Sequence, residues 1–378
     1  MNNRRVIMTR TEYLEKLREQ LHCFSSDMQE EILEDYNRHF DEGLANGKSE
    51  EEIIAELGSI EDMVEELKQT QPEDTVSPQN QSSSYDGAYR TIQLEGGPAN
   101  VIVQLSEDNR IHIHYENNGN ETLQQKYRFF QYEQDGNLYA GVQDTGVQLQ
   151  NNKETKRFRL FGIPLFSYES APNPLGNITL TVKLPKETPA LVVKNGSGNV
   201  QISGLTFRTL HTVAGSGDTK LNRILCEQME CRTGSGNISF ADILFADAKM
   251  HTGSGNISGS SSDGKPAGTL SGQTGSGNIR IHSAFGNCYL QTGSGNISYH
   301  SPHSLQDAAL QTGSGNISVM VNQTEGLEAG VKTGSGNVRI CWKEDTPCTV
   351  KSGTFTFGNG ETKLRTNTGS GNVEIIAR

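Results

Sequence analysis

One short phrase recurs whose residue types could carry chemistry. Gly-Ser-Gly-Asn stands at Gly196–Asn199, Gly234–Asn237, Gly253–Asn256, Gly275–Asn278, Gly293–Asn296, Gly313–Asn316, Gly334–Asn337 and Gly369–Asn372. A ninth copy, Gly215–Asp218, ends in Asp. Three chemistries would use such residues. A phosphate-binding glycine loop needs a following helix, with Lys or the helix N-terminus to hold the anion. A nucleophile elbow needs its Ser between a strand and a helix, with a His and an acid as partners. A calcium-binding roll needs acidic residues at a nine-residue period. Here a strand pattern follows each copy, no Lys is placed, near-identical serines repeat, and only Asp218 is acidic. The phrase reads instead as a structural corner.

Successive copies start 19, 19, 19, 22, 18, 20, 21 and 35 residues apart, the spacing of a solenoid repeat. Counted from the first Gly, position +4 (Val200, Ile238, Ile279) and position +6 (Ile202, Phe240, Ile281) are apolar in eight of nine copies. Position +5 between them is polar in all nine (Gln201, Ser239, Arg280). That is a strand with one buried face. Before the corner, position −3 is largely apolar and position −2 mostly polar, so the Thr at −1 points inward. The glycines are expected to supply backbone angles closed to other residues and to let layers stack. The asparagines Asn199, Asn237, Asn256, Asn278, Asn296, Asn316, Asn337 and Asn372 are expected to tolerate a left-handed angle and to bond from coil to coil as a ladder. About ten coils at roughly 4.8 Å each would make a rod of about 50 Å.

Other reactive residues fit this scheme. Cys226, Cys231 and Cys288 occupy positions where other coils carry apolar residues, and no Cys-x-x-Cys spacing is present. Cys341 and Cys348 could pair, but a reducing compartment argues against it. The histidines are scattered, with His300 and His303 flanking a Pro as a close pair. No cofactor or metal is expected. A polysaccharide-cleaving β-helix would need carboxylates on neighbouring coils of one face, and the outward positions are mostly Ser, Gln, Lys and Arg.

The elements around the repeat fall into blocks. Residues 1–70 form an acidic helical domain, 71–84 a flexible linker, 85–190 the cap and first strands of a β-solenoid, and 191–378 the repeat proper. Leu14, Leu17 and Leu21 mark one helix, and Ile32, Leu33, Tyr36, Phe40 and Leu44 a second. Ser49-Glu50-Glu51-Glu52 is a capping box that opens a third. Ile60, Met63, Val64 and Leu67 mark a fourth. Gly96–Val101 is a worn first corner, and the apolar residues from Phe158 to Tyr168 are expected to cover the open end of the first coil. Thr354–Glu361 is a hairpin signal that projects or folds over the end. Glu374 and Arg378 would guard an edge strand. The architecture expected is multidomain, α plus all-β, with a single-stranded β-helix of about 20 residues per repeat.

The net charge of −12 is uneven. Residues 1–76 hold 20 acidic against 8 basic side chains, and residues 77–378 hold 25 of each. Neither part has the basic excess of a nucleic-acid binder. No apolar run is long enough to span a membrane, and the first residues have no signal-peptide pattern, so a cytoplasmic location is expected. Glu34, Asp35, Tyr36, Phe40, Glu51 and Glu52 are candidates for docking a basic protein partner.

The runs Glu12–Leu17, Ile32–Phe40 and Gly47–Ser59 resemble the HAAS domain, a small helical module found with PadR-like helix-turn-helix regulators. The resemblance implies a non-catalytic interaction role in bacterial signalling of the envelope-stress type. From Tyr85 on, the Leu184-Pro185 strand end and the Thr-Gly-Ser-Gly-Asn-Ile repeats resemble the bacterial β-strand-repeat domain of unknown function labelled "putative adhesin". This implies a rigid or self-associating rod, with surface adhesion as the alternative.

Overall fold

Strands that alternate apolar and polar side chains must bury one face, and stacked coils do so against each other. The computed structural model describes residues 8–21, 26–62, 64, 79–119, 121–146, 154–160, 163–170, 177–261, 267–303, 306–322, 324–343, 345 and 348–378. Chain contacts divide it into two compact units. One holds residues 1–77 and 148–174, the other residues 78–147 and 175–378.

In the first unit, three helices enclose a small core. They are α1 (Arg10–Gln20), α2 (Ser26–Ala45) and α3 (Glu50–Leu57). Thr9 and Ser49 cap α1 and α3, each in a reciprocal capping box, with Glu12 and Glu52. Tyr13, Leu17, Leu21, Ile32, Tyr36, Phe40, Ile53 and Leu57 pack together. Arg10 ties the helices: its guanidinium donates to Asp41 and Asn37 of α2, and its backbone N–H donates to Glu50 of α3 at 2.8 Å. Of the fourth helix, residues 60–62 and 64 are helical; Met63 and Leu67 lie outside the described residues. The antiparallel hairpin Glu154–Leu160 and Ile163–Ser170 groups with this unit rather than with the coils it was expected to cover. The side chains of Phe158 to Tyr168 lie outside the described residues.

The second unit is built on a 14-stranded and a 13-stranded sheet. Each repeat gives the strand before its corner to the second sheet and the strand after it to the first. Successive repeats pair in parallel and in register, as in Val200↔Thr219 and Leu210↔Met229. The apolar faces of both sheets form one continuous core from Ile92 to Ala377. Gly96–Val101 takes the first corner position. At that end Asn137–Asp144 and Tyr127–Gln134 extend one sheet, and Ile178–Leu184, Ile111–Asn117 and Gln79–Tyr85 extend the other.

Three features depart from the sequence reading. Residues 79–84, placed in the linker, belong to an edge strand paired along its length with Ile111–Asn117; residues 71–78 lie outside the described residues. Its run of Gln, Asn and Ser is mostly exposed, so it leaves no apolar alternation; beside the backbone ladder, the Ser82 hydroxyl bonds with His114 Nδ1 of the paired strand at 2.8 Å. Thr354–Glu361 is not a simple hairpin. Gly353–Gly358 pairs with Gly326–Thr333, and the following strand Thr362–Thr368 pairs with the other side of that same strand.

The third departure concerns order in the stack. The coil turning at Gly369 is not an edge. Its strands Thr362–Thr368 and Val373–Ala377 lie between the Gly313 coil and the Gly334 coil, both earlier in sequence. Glu374 therefore pairs with Arg339 on the neighbouring coil at 3.1 Å, and the Arg378 N–H donates to the Val321 carbonyl. Neither guards an open edge. The outermost coil is that of Gly334, closed by the antiparallel strands Gly353–Gly358 and Cys348–Val350.

Candidate functional site

At the corners, stacking alone explains the glycines. In the nine Gly-Ser-Gly-Asn or Gly-Ser-Gly-Asp corners no glycine and no Asn has a left-handed φ; in the worn first corner Gly97 does, at 59°. The expectation of special backbone angles is corrected. A Cβ on the second glycine of each corner would run into the carbonyl oxygen of the equivalent residue in the adjoining coil, a glycine in all but the first case, where Gly198 meets Ala99, far inside the 3.0 Å that real Cβ atoms keep. Gly217 meets Gly198 in this way, Gly277 meets Gly255, and Gly371 meets Gly315. The glycines are needed because the coils touch through backbone there.

The asparagines bond along the stack, chiefly from side chain to backbone. Asn199 Oδ1 accepts from Asp218 N–H, Asp218 Oδ1 from Asn237, Asn237 Oδ1 from Asn256, and Asn256 Oδ1 from Asn278. The series runs on through Asn278, Asn296, Asn316 and Asn372 to Asn337, each step 2.8–2.9 Å. Asn100 of the worn corner supplies the acceptor for Asn199. Only an acceptor oxygen is required, which is why Asp218 fits. Amide-to-amide bonds accompany some steps, as from Asn256 to Asn237 at 3.1 Å.

The inward Thr at −1 is a polar hub whose partners the sequence did not reveal. Thr274 Oγ1 donates to the Gly255 carbonyl of the preceding coil at 2.8 Å and accepts from Gly277 N–H at 3.1 Å. Thr233, Thr252, Thr292, Thr312 and Thr333 repeat both bonds, and Thr368 repeats the donation, to the Gly315 carbonyl. The recurrence of Thr, rather than Val, at a buried position was the available signal. Thr274→Val keeps the shape but leaves a buried N–H and C=O unpaired. It is expected to cost about 2 kcal/mol in urea unfolding, with Thr274→Ser costing less because its hydroxyl remains.

The docking candidates separate on the helices. Glu34 and Glu51 are exposed on α2 and α3. Glu52 is exposed, but its carboxylate accepts from the Ser49 N–H and hydroxyl, which hold it below the usual carboxylate range. Tyr36 and Phe40 are corrected: at 1% and 0% exposure they are core, with Tyr13 stacked on Tyr36 and edge-on to Phe40. Their i, i+4 spacing serves the apolar stripe of α2 and leaves no ring for a partner. The side chain of Asp35 lies outside the described residues. Elsewhere on this surface acids are tied internally, Glu61 to Lys16 and Glu56 to Lys48. The Lys16 hydrogen bond holds Glu61 down at about 2.

The remaining reactive groups sit apart. Cys231 and Cys288 are fully buried, and burial pushes the Cys231 thiol up to about 12, so neither is a poised nucleophile. Cys341 and Cys348 are unpaired. The rings of His282 and His300 stack at 4.3 Å on adjacent coils, and burial beside His282 lowers the pKa of His300. Among the described residues no three His, Cys, Asp or Glu side chains gather as metal ligands, and no helix is long and apolar enough to cross a membrane.

Comparison with known proteins follows the same division. The HAAS family model matches residues 12–66, and the Toastrack DUF4097 model matches residues 89–376. No curated protein matches the chain. Among solved structures, a "putative adhesin" of Parabacteroides merdae is 14% identical over 80% of this chain and 97% of its own, with a TM-score of 0.42. A "putative lipid binding protein" of Parabacteroides distasonis is 15% identical over 79% and 98%, with a TM-score of 0.40. A "putative adhesin" of Bacteroides fragilis is 15% identical over 79% and 97%, with a TM-score of 0.39. At these scores the likeness carries no functional weight. The family match covers most of the sequence and both sheets of coils, and the chain belongs to the Toastrack DUF4097 family.

Proposed function

We propose that the chain is a non-enzymatic interaction protein in bacterial envelope-stress signalling. Its HAAS segment docks a basic protein partner, by family resemblance a PadR-like regulator, and its coils serve as a rigid or self-associating scaffold in the cytoplasm. The domain boundaries proposed with it are residues 1–70 for docking and residues 85–378 for the scaffold. The HAAS match carries the reading. The charge of residues 1–76 and the exposed Glu34 and Glu51 support it.

The test is capture of partners from the native host by the full chain, compared with Glu34→Lys/Glu51→Lys. Exposed ion pairs contribute up to about 1 kcal/mol each, so reversing two charges is expected to weaken capture roughly tenfold while the helical signal in circular dichroism stays unchanged. Capture that is indifferent to the reversal would remove this docking face. Recovery of the protein only at the cell surface on fractionation would remove the cytoplasmic setting and favour adhesion.

A further inference from the structure

The placement of the Gly369 coil has a consequence for assembly. From the Gly196 coil to the Gly293 coil, each coil leads through the chain directly into its spatial neighbour; the Gly313 coil leads instead into the Gly334 coil, one place further along the stack. The Gly369 coil is bounded on both sides by coils that precede it in sequence. It can therefore leave the stack without unravelling another coil, and the slot it leaves is bounded by strands from residues 307–342.

The slot is specific for this kind of coil. On one side Thr368 Oγ1 donates to the Gly315 carbonyl and Asn372 N–H donates to Asn316 Oδ1. On the other, Thr333 Oγ1 donates to the Gly371 carbonyl and Asn337 N–H donates to Asn372 Oδ1. Arg365 forms a two-pronged ion pair with Asp307 at 2.7 and 3.0 Å. Leu364, Val373, Ile375 and Ala377 complete the core. A filling segment must bring the Thr-Gly-Ser-Gly-Asn corner, the inward apolar residues and an Arg opposite Asp307. The same segment of a second copy brings all of them.

The connection is suited to opening. Gly353–Gly358 stays paired on the outermost coil, and only Asn359, Gly360 and Glu361 separate it from Thr362. This three-residue turn crosses over the start of the strand at Gly326, with left-handed φ of 59° at Gly358 and 67° at Gly360. Short hinges of this kind favour exchange, because extending the turn relieves the bend and every other contact is remade in the partner.

We propose that the coil of residues 362–377 exchanges between two copies of this chain, each filling the other's slot, to give a dimer joined at the turn Asn359–Glu361. The partner is a second copy and the segment lies in the coils, so this assembly does not depend on the helical docking face. The charge reversal at Glu34 and Glu51 leaves it intact.

Gln311 and Asn367 are exposed register partners across the exchanged pairing. The full chain carrying Gln311→Cys, Asn367→Cys and Cys348→Ser is made in light and heavy nitrogen. The two are mixed, unfolded in urea, refolded at high concentration, oxidised and digested. In the dimer fraction, about half of the linked 311–367 peptide pairs are expected to join one light and one heavy chain, the statistical value for full exchange. Links of a single label throughout would overturn the proposal. Light scattering on the unaltered chain, refolded at the same concentration, decides the case if the cysteines fail to link. A dimer fraction is expected, and a uniform monomer, meaning each chain closes its own slot, would also overturn it.

Discussion

Gly277→Ala is expected to break the stack of coils, although it adds a single methyl group. The Cβ would run into the Gly255 carbonyl oxygen, which is backbone of the preceding coil and cannot rotate aside. The Gly277 carbonyl in turn faces Gly295 of the next coil and accepts from Thr292. Any relief by moving one layer displaces the next. A buried overlap with no soft neighbour belongs with the largest single-residue effects, about 4 kcal/mol or more. Gly330→Ala is the control. It lies within a strand of the same stack and not at a corner, its φ is not left-handed, and a Cβ there meets nothing closer than the Arg365 side chain at 3.8 Å. Urea unfolding should separate the two widely. Similar midpoints would show that the coils can part at the corner and that glycine there is not a stacking requirement.

Removing residues 353–378 is expected to do more damage than their place in the sequence suggests. The deletion takes out the penultimate coil of the stack together with the strand that covers the outermost one. Leu364, Val373 and Ile375 leave the core, at roughly 2 kcal/mol each by burial alone. Facing edges of the Gly313 and Gly334 coils lose their partners at the same time. Because each coil of a repeat stack is held by its neighbours, a gap uncouples the Gly334 coil from the rest. Thermal unfolding followed by circular dichroism should change from one transition to a broad or two-step loss, with dye binding to exposed apolar surface at room temperature. Removing residues 79–85 at the other end should leave a single transition, since that strand is an exposed edge. A sharp single transition for the first deletion would mean that the Gly334 coil pairs directly with the Gly313 coil once the slot is empty.

Much of the fold was legible because a strand with one buried face writes its period into the residues. Val200, Ile202 and their equivalents declared the inward face, and the Gly-Ser-Gly-Asn copies declared the corners. The capping box at Ser49 is local chemistry and was equally visible in residue type and spacing, whereas the one at Thr9 was shown by the structure. The docking face was less legible. An i, i+4 pair such as Tyr36 and Phe40 has the same spacing whether it meets its own domain or a partner, and only the packing of Tyr13 against both rings shows which. The edge strand Gln79–Tyr85 left no pattern because its backbone ladder and polar side-chain bonds, such as that of Ser82 with His114, require no alternating apolar face.

By itself the sequence determined that coils form, which face of each strand is buried and where each corner falls, because period and composition are properties of a single coil. Tertiary structure alone decided why the corners need glycine and which coil neighbours which. The glycine requirement comes from the distance between layers, which no single coil contains. The order of the last two coils is open in the sequence because every corner offers the same bonds above and below. Thr-Gly-Ser-Gly-Asn at Gly369 fits any rung, and it lies between Gly313 and Gly334 because the Gly334 coil is the one that residues 348–358 can close.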